Sequence, residues 1–397
     1  MKLLACTHVP HWIDDGKVMS SAYFVRDLRI FGDLFDEVHI CAPLSKEPPN
    51  GDVVAYEGDY SITNCPVIPG SDFWSRLSRL IGMPLNIVRI SRAMHDCDAV
   101  HIRCPGNMGL FGAIALCFST KPRCAKYAGQ WGCYVGEPVA NKIQRWLLSR
   151  RGFGGPVTVN ATWDGHRGHV YSVFNSSITR EEVVHAAETA VAKNLGKPVE
   201  FLFVGRVDKN KNLDIILRAL ASARRKSKED LRLIVVGEGR ALGITRDLAL
   251  GLGLKDEVEF TGWLHPTDLA KVYARGHILL LASGTEGWPK TPMEAMCYGI
   301  PSICTNVGTV PKILGENERG LLVEPGDVQG LAEAMTRLAT DEELYTRLSR
   351  AGRKWIESRT REDLMIELKS ILEESWGLKL RTPEWMENEN VRGSYER

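Results

Sequence analysis

No two cysteines in this chain stand in a Cys-x-x-Cys spacing, although ten are scattered through it. Their scatter argues against a disulfide framework or a zinc site and reads as reduced thiols. No apolar run reaches the roughly 18 residues of a membrane span. Met1 to Pro10 lacks the long apolar stretch and small-residue cleavage site of a secretory signal; it reads as a first buried strand. Charge of one sign is missing too. Lys and Arg number 50 against 49 Asp and Glu, a net charge of +1, so no overall basic field draws the chain to nucleic acid. Short repeats and low-complexity segments are absent. These absences place the chain in the cytoplasm as a globular protein. A composition of 44% hydrophobic and 25% charged residues agrees.

At 397 residues the chain is too long for one ordinary core. Short apolar runs alternate with amphipathic stretches. In the second half the runs are Val199–Val204, Leu231–Val236, Val258–Phe260, Ile278–Ala282, Ile300–Cys304 and Gly320–Val323, each bounded by turn residues. Between them Leu213, Ile216, Leu217 and Leu220 recur at helical spacing. The first half repeats the style with strands predicted at Leu3–Cys6, Glu37–Ala42, Asp52–Tyr56, Ala99–Arg103, Arg123–Tyr127, Pro156–Asn160 and His169–Phe174. Helices are predicted over Ser20–Phe35, Trp74–His95, Met108–Ser119, Glu137–Arg150 and Arg180–Asn194. This alternation predicts an α/β chain of two doubly wound, Rossmann-like domains facing a central cleft. The Gly-Lys-Pro stretch at 196–198 sets the boundary, giving domains over 1–195 and 196–376. A polar tail, 377–397, is expected to be loosely attached.

Ligands in such sheets bind beyond the carboxyl ends of the strands, so the loops there carry the chemistry. After Val204 comes Gly205-Arg206-Val207-Asp208-Lys209-Asn210-Lys211-Asn212 and then a helix. A lysine at a helix N-terminus opposes the helix dipole. An anion held by Arg206, Lys211 and free backbone N–H groups would explain it; a solvated basic loop is the bland alternative. After Ala282 comes Gly284-Thr285-Glu286-Gly287-Trp288-Pro289-Lys290-Thr291-Pro292-Met293-Glu294. Two carboxylates eight residues apart across this turn suit the vicinal hydroxyls of a ribose or hexose. Thr291-x-x-Glu294 is equally a capping box, but that leaves Glu286 and the Gly-Trp-Pro segment unexplained. Gly237-x-Gly239 after a strand suits any nucleotide fold. The third glycine of a dehydrogenase fingerprint falls one place late, at Gly243.

Gly205-Arg206-x4-Lys211, Gly237-x-Gly239, Phe260-x-Gly262 and Glu286-x7-Glu294 occur in this order, then Ala295-Met296-x2-Gly299-x-Pro301. This resembles the large retaining glycosyltransferase family of GT-B fold marked by a Glu-x7-Glu motif (family 4 type, glycosyl transferases group 1). The match runs from about Glu200 to Leu372. The form Glu286-Gly-Trp-Pro-Lys looks like a subgroup that builds bacterial surface polysaccharides. The resemblance implies a nucleoside-diphosphate sugar as donor and a saccharide or lipid-linked acceptor. It gives Arg206 and Lys211 the diphosphate in place of a metal, Glu294 the ribose and Glu286 the transferred sugar. The base would sit near Gly239 and Trp263. Lys290 and Thr291 would add backbone donors, and Gly16, Gly205, Gly237 and Gly287 would admit the donor closely. No cofactor is implied.

The first half departs from that pattern. Many members carry a Gly-Gly loop after the first strand, where Asp15-Gly16-Lys17 stands here; many carry an acceptor-side His where Gly129-Gln130-Trp131 stands. Lys17, Arg103 and Gln130 are the acceptor-side candidates. His8 and His11 lie near the loop and are expected to be structural; His11 with Asp14 and Asp15 has no known metal-ligand spacing. Trp74, Arg76, Arg79 and Ile81, with Arg89 and Arg92, form a basic and apolar helix. It is an ordinary packing helix or, if the acceptor is lipid-linked, a peripheral contact with the cytoplasmic face of the inner membrane. Two other functions compete: a sugar-nucleotide epimerase of the same fold, which returns a nucleotide sugar instead of free nucleoside diphosphate, and a non-catalytic nucleotide-binding scaffold.

Overall fold

The computed structural model describes residues 1–47, 53–66, 73–133, 137–160, 168–191 and 193–387, with backbone alone for 73–81, 189 and 191. Contacts divide the chain into two units. One is Met1–Ser177 with the described residues from Leu364 onward, and the other is Ile178–Asp363.

Unit 1 begins with β1 (Lys2–Cys6), β2 (Trp12–Asp14), β3 (Lys17–Ser21), α1 (Ala22–Leu34), β4 (Glu37–Ala42), β5 (Val53–Ala55) and β6 (Tyr60–Asn64). It continues with α2 (Phe73–His95), β7 (Ala99–Cys104), α3 (Asn107–Leu116), β8 (Arg123–Tyr127), α4 (Val139–Leu148), β9 (Val157–Val159) and β10 (Val170–Ser172). Among the described residues a seven-stranded parallel sheet runs β10-β9-β8-β7-β1-β4-β6. β1 lies inside it and is apolar on both faces. Leu3 and Ala5 join a core with α1 and Leu364, Met365 and Leu372; Leu4 and Cys6 join a core with α2 and α3. A parallel strand buried on both faces needs such a continuous apolar run.

Three differences from the sequence reading stand out in unit 1. Lys17–Ser21 is a strand, so α1 starts at Ala22, later than the predicted Ser20. β2, β3 and β5 form a separate antiparallel sheet, and β6, which the sequence reading passes over, takes the sheet edge instead of the segment ending at Tyr56. The tail is anchored as far as it is described. Leu380 is buried, the Arg381 N–H donates to the Leu34 carbonyl at 3.2 Å, and the Trp376 indole donates to the Arg123 carbonyl at 3.1 Å. Residues 388–397 lie outside the described residues.

Unit 2 holds β11 (Val199–Val204), β12 (Leu231–Val236), β13 (Val258–Gly262), β14 (Ile278–Leu281), β15 (Ser302–Thr305) and β16 (Gly320–Val323). They form a parallel sheet, in the described residues, of order β13-β12-β11-β14-β15-β16. β12 and β13 run outward from β11 on one side and β14, β15 and β16 on the other, so the order reverses between β11 and β14. In such sheets that reversal opens a crevice at the strand ends. Phe201 and Phe203 fill one core and Leu202 the other. Asp327 and Asp341 cap the next two helices, accepting from Gly330 N–H at 2.8 Å and Leu344 N–H at 2.9 Å.

The unit boundaries fall away from 195/196 and 376/377. The helix Arg180–Val191 belongs to unit 2. Just beyond it the Lys193 ammonium donates to the Tyr273 and Ala274 carbonyls, each at 2.7 Å. Those carbonyls end the helix Pro266–Arg275, where a cation complements the dipole. Gly196–Pro198 thus starts a strand without marking a change of unit.

Candidate functional site

The loops at the carboxyl ends of β11 and β14 are tied into one structure. Asn212, in left-handed conformation with φ 49°, sends its side-chain amide to the Ala282 carbonyl at 3.0 Å. Asn210 donates to the Thr285 carbonyl and accepts from the Thr285 hydroxyl, both at 3.0 Å. Gly284 N–H closes the set on the Asn210 carbonyl at 2.9 Å. These bonds hold Lys211, in the short helical turn Lys209–Lys211, against Glu286: Nζ to Oε1 is 2.6 Å. The two side chains are only 24% and 11% exposed. Arg206 stays out in solvent, 84% exposed, beside Asp208 at 2.9 Å.

The β12 loop closes over the β11 loop through glycines. At Gly237, φ 127°, a Cβ would stand 1.9 Å from the Gly205 carbonyl oxygen; at Gly239 it would stand 2.3 Å from that of Val207. Only glycine fits either place. Trp263, just beyond β13, is 46% exposed and meets His265 edge-on.

The Gly-Trp-Pro segment is fixed from beneath. Trp288 is buried with its indole N–H on Met293 Sδ at 3.0 Å. Thr309 donates to the Gly287 carbonyl. Gly308 packs so closely that a Cβ would stand 1.9 Å from the Glu286 carbonyl oxygen. Lys290 precedes the helix Thr291–Cys297, whose first turn carries Glu294. The expected capping box is not formed: Thr291 is already helical and no side chain caps this N-terminus. Glu294 instead accepts from the Tyr273 hydroxyl at 2.8 Å. Burial first, and the neighbouring carboxylate second, hold the Tyr273 phenol well above its ordinary pKa, so it stays a proton donor to Glu294.

The sequence reading names Lys211, Glu286 and Glu294 but gives no role to Tyr273, Asn210, Thr285 and Thr309, which position these loops and Glu294. Tyr273 lies between two apolar runs, in a stretch with no motif to single it out. The Asn210–Thr285 bond joins residues 75 apart and leaves no local pattern.

The unit 1 candidates are described within that unit. Asp15-Gly16 is the two-residue turn between β2 and β3, with Asp14 opposite Lys17 and φ of 44° and 73°. The turn itself accounts for the glycine. Lys17 is exposed and Gln130 half-buried. Arg103 is committed to an inner ion group. It binds Asp27, which also accepts from the Lys126 ammonium at 2.6 Å, with all three side chains at most 12% exposed. His11 is fully buried, its ring nitrogens 2.8 Å from the Val9 carbonyl and 2.9 Å from the Tyr56 hydroxyl. Both nitrogens thus have partners within the fold. The side chains of Trp74, Arg76, Arg79 and Ile81 lie outside the described residues. Among the described residues no helix is long and apolar enough to cross a membrane. All ten cysteines are free thiols.

Residues 187–355 match the family described as Glycosyl transferases group 1. The chain is 25% identical over 360 residues to the GDP-mannose-dependent alpha-(1-6)-phosphatidylinositol monomannoside mannosyltransferase of Mycobacterium tuberculosis, covering 85% of this chain and 89% of that one. Among solved structures it is similar to a sucrose-phosphate synthase from Thermosynechococcus elongatus (TM-score 0.71, 16% identity, 95% and 99% of the two chains). It is also similar to Anabaena HepE in complex with UDP and glucose (TM-score 0.67, 16% identity, 95% and 100%). At that identity the structures speak for the fold alone. Residues 187–355 match a glycosyl transferases group 1 domain, and the two parallel-sheet α/β units have the fold of GT-B glycosyltransferases.

Proposed function

We propose that the chain moves a sugar from a nucleoside-diphosphate sugar to a saccharide or lipid-linked acceptor, with retention of anomeric configuration and without a metal, in polysaccharide or glycoconjugate synthesis. The observation that carries this reading is the Lys211–Glu286 pair at the ends of β11 and β14, with Arg206 exposed on the same loop. Arg206 and Lys211 bind the diphosphate and stabilise it as it leaves. Glu286 holds the sugar where positive charge develops. Glu294, steadied by Tyr273, holds the ribose. The bond from the anomeric carbon to the phosphate oxygen breaks as the acceptor oxygen bonds on the same face. The acceptor proton passes to the departing phosphate oxygen, so no protein base is needed. The Mycobacterium relative is named for a GDP-mannose donor and a lipid acceptor, and the Anabaena structure holds UDP. Both names support a nucleotide-sugar donor and leave its base and sugar open.

The test is product analysis in excess chelator. Stoichiometric nucleoside diphosphate and an α-linked product from an α-linked donor, at an undiminished rate, are expected. Loss of rate restored by magnesium or manganese would refute the metal-free mechanism; inversion of the linkage would refute retention. Recovery of an epimerised nucleotide sugar would replace transfer altogether.

A further inference from the structure

Helix α4 is turned the opposite way from an ordinary surface helix. Its inward side carries Gln144 and Leu148, 2% and 0% exposed. Gln144 accepts from the Gly106 N–H at 3.0 Å and donates to the Ala140 carbonyl at 3.2 Å. Its outward side carries Val139, Ile143 and Trp146, 70%, 46% and 53% exposed. Steps of four and three residues stack them in one stripe. Arg150 lies over the Trp146 ring at 4.1 Å, and Lys142 is exposed beside the stripe. α4 shares a core with α2 and α3 on one face of the unit 1 sheet, and α2 exposes Leu85 and Val88.

The charge of this stretch is as uneven as that of the whole chain is balanced. Residues 73–155 hold twelve Lys and Arg against three Asp and Glu, a net of +9 in a chain of net +1. Of the twelve bases Arg103, Arg123, Lys126 and Arg145 are buried or nearly so, and of the three acids Glu137 is buried on Arg145, which leaves eight bases against Asp96 and Asp98. Arg92, Lys142, Arg150 and Arg151 are exposed.

We propose that this face of unit 1 docks on an anionic lipid bilayer. α4 lies in the headgroup plane, with Val139, Ile143 and Trp146 at the acyl boundary and Lys142 and Arg150 on lipid phosphates. An apolar stripe flanked by cations, with a tryptophan among its anchors, is what that interface takes. A nucleic acid would use the cations and leave Val139 and Ile143 in water; a lipid surface uses both.

The experiment is co-sedimentation of the full chain with vesicles of phosphatidylcholine, alone or mixed with phosphatidylglycerol. Wild type should pellet with the mixed vesicles only. Ile143→Ser with Trp146→Ser, and separately Lys142→Glu with Arg150→Glu, should each weaken pelleting by about tenfold. Unchanged melting would show that these surface variants fold. Failure of wild type to pellet, or pelleting of the serine variant at wild-type level, would overturn the proposal. So would a vesicle-independent dimer abolished by the serine variant, which would give the stripe to a second copy of the chain.

Discussion

Lys211 and Glu286 answer each other's charge, so removing one leaves the other altered. Glu286→Gln frees Lys211 for phosphate. Nucleoside diphosphate affinity should then hold or rise while turnover falls, because the carboxylate acts on the sugar as it becomes cationic. Glu294→Gln should weaken the diphosphate itself through the ribose. Calorimetry with the bare diphosphate, set beside turnover with the full donor, separates them; equal loss of affinity in both variants would show the roles misassigned. The two cations should differ as well. Lys211→Ala should slow turnover by about 2–4 kcal/mol of transition-state energy and also lower stability, since it leaves an 11% exposed carboxylate unpaired. Arg206→Ala should slow turnover without moving the melting temperature, since its side chain is 84% exposed. A melting shift in the arginine variant would contradict that division.

At the scale of elements the Gly237 loop makes a sharp test. Gly237→Ala adds a methyl where the Gly205 carbonyl already stands, at a φ that side chains avoid. It should cost about 1–3 kcal/mol and donor affinity with it. Gly243→Ala, a few residues on in a helix with nothing within 4 Å of the new Cβ, should instead stabilise by about 0.4–1 kcal/mol. Denaturant melts of the two measure the contrast. The same region shows what a sequence displays. β11 and β12 were legible to the residue because each is a mostly buried apolar run between turn residues, Pro198 and Gly205 for the first, Asp230 and Gly237 for the second; β16, at a sheet edge, was legible from its apolar run Gly-Leu-Leu-Val alone. β6, reading Tyr-Ser-Ile-Thr-Asn, sits at the sheet edge with no fully buried residue, so it has no run to recognise. β5 does read as a strand, but nothing local says that it joins a small antiparallel sheet. Lys211, Glu286 and Glu294 were visible because each sits at a strand or helix end. Tyr273 was not, because its role exists only after distant elements meet.

Over the whole molecule, burial lowers the pKa of five of the described histidines, His8, His11, His39, His101 and His277, three of them furthest. His11 and His277 are lowered to about 4, and His101 to about 3. The unfolded chain takes up protons near pH 6.5 that the folded chain refuses, so stability is full above that pH and falls below it. Between pH 6.5 and 5 each of these three should cost about 2 kcal/mol. Urea melts across that window should show lower midpoints in unit 1, which holds two of them, and in unit 2, which holds one; flat midpoints would show that these rings are already protonated or open to water in the fold.

The return of the chain to unit 1 also has a consequence for synthesis. Leu364, Met365, Leu368, Ile371, Leu372 and Leu380 complete a core whose other buried residues lie before Ser177, and all of Ile178–Asp363 is made in between. At about 5–20 residues per second the ribosome spends roughly 10–40 s on that insertion. Throughout that time the nascent first unit has an open apolar face, while the second can close as soon as it emerges. A chaperone meeting this chain on the ribosome would therefore find its client at the N-terminal end, and the arrival of the helix Arg361–Trp376 would release it.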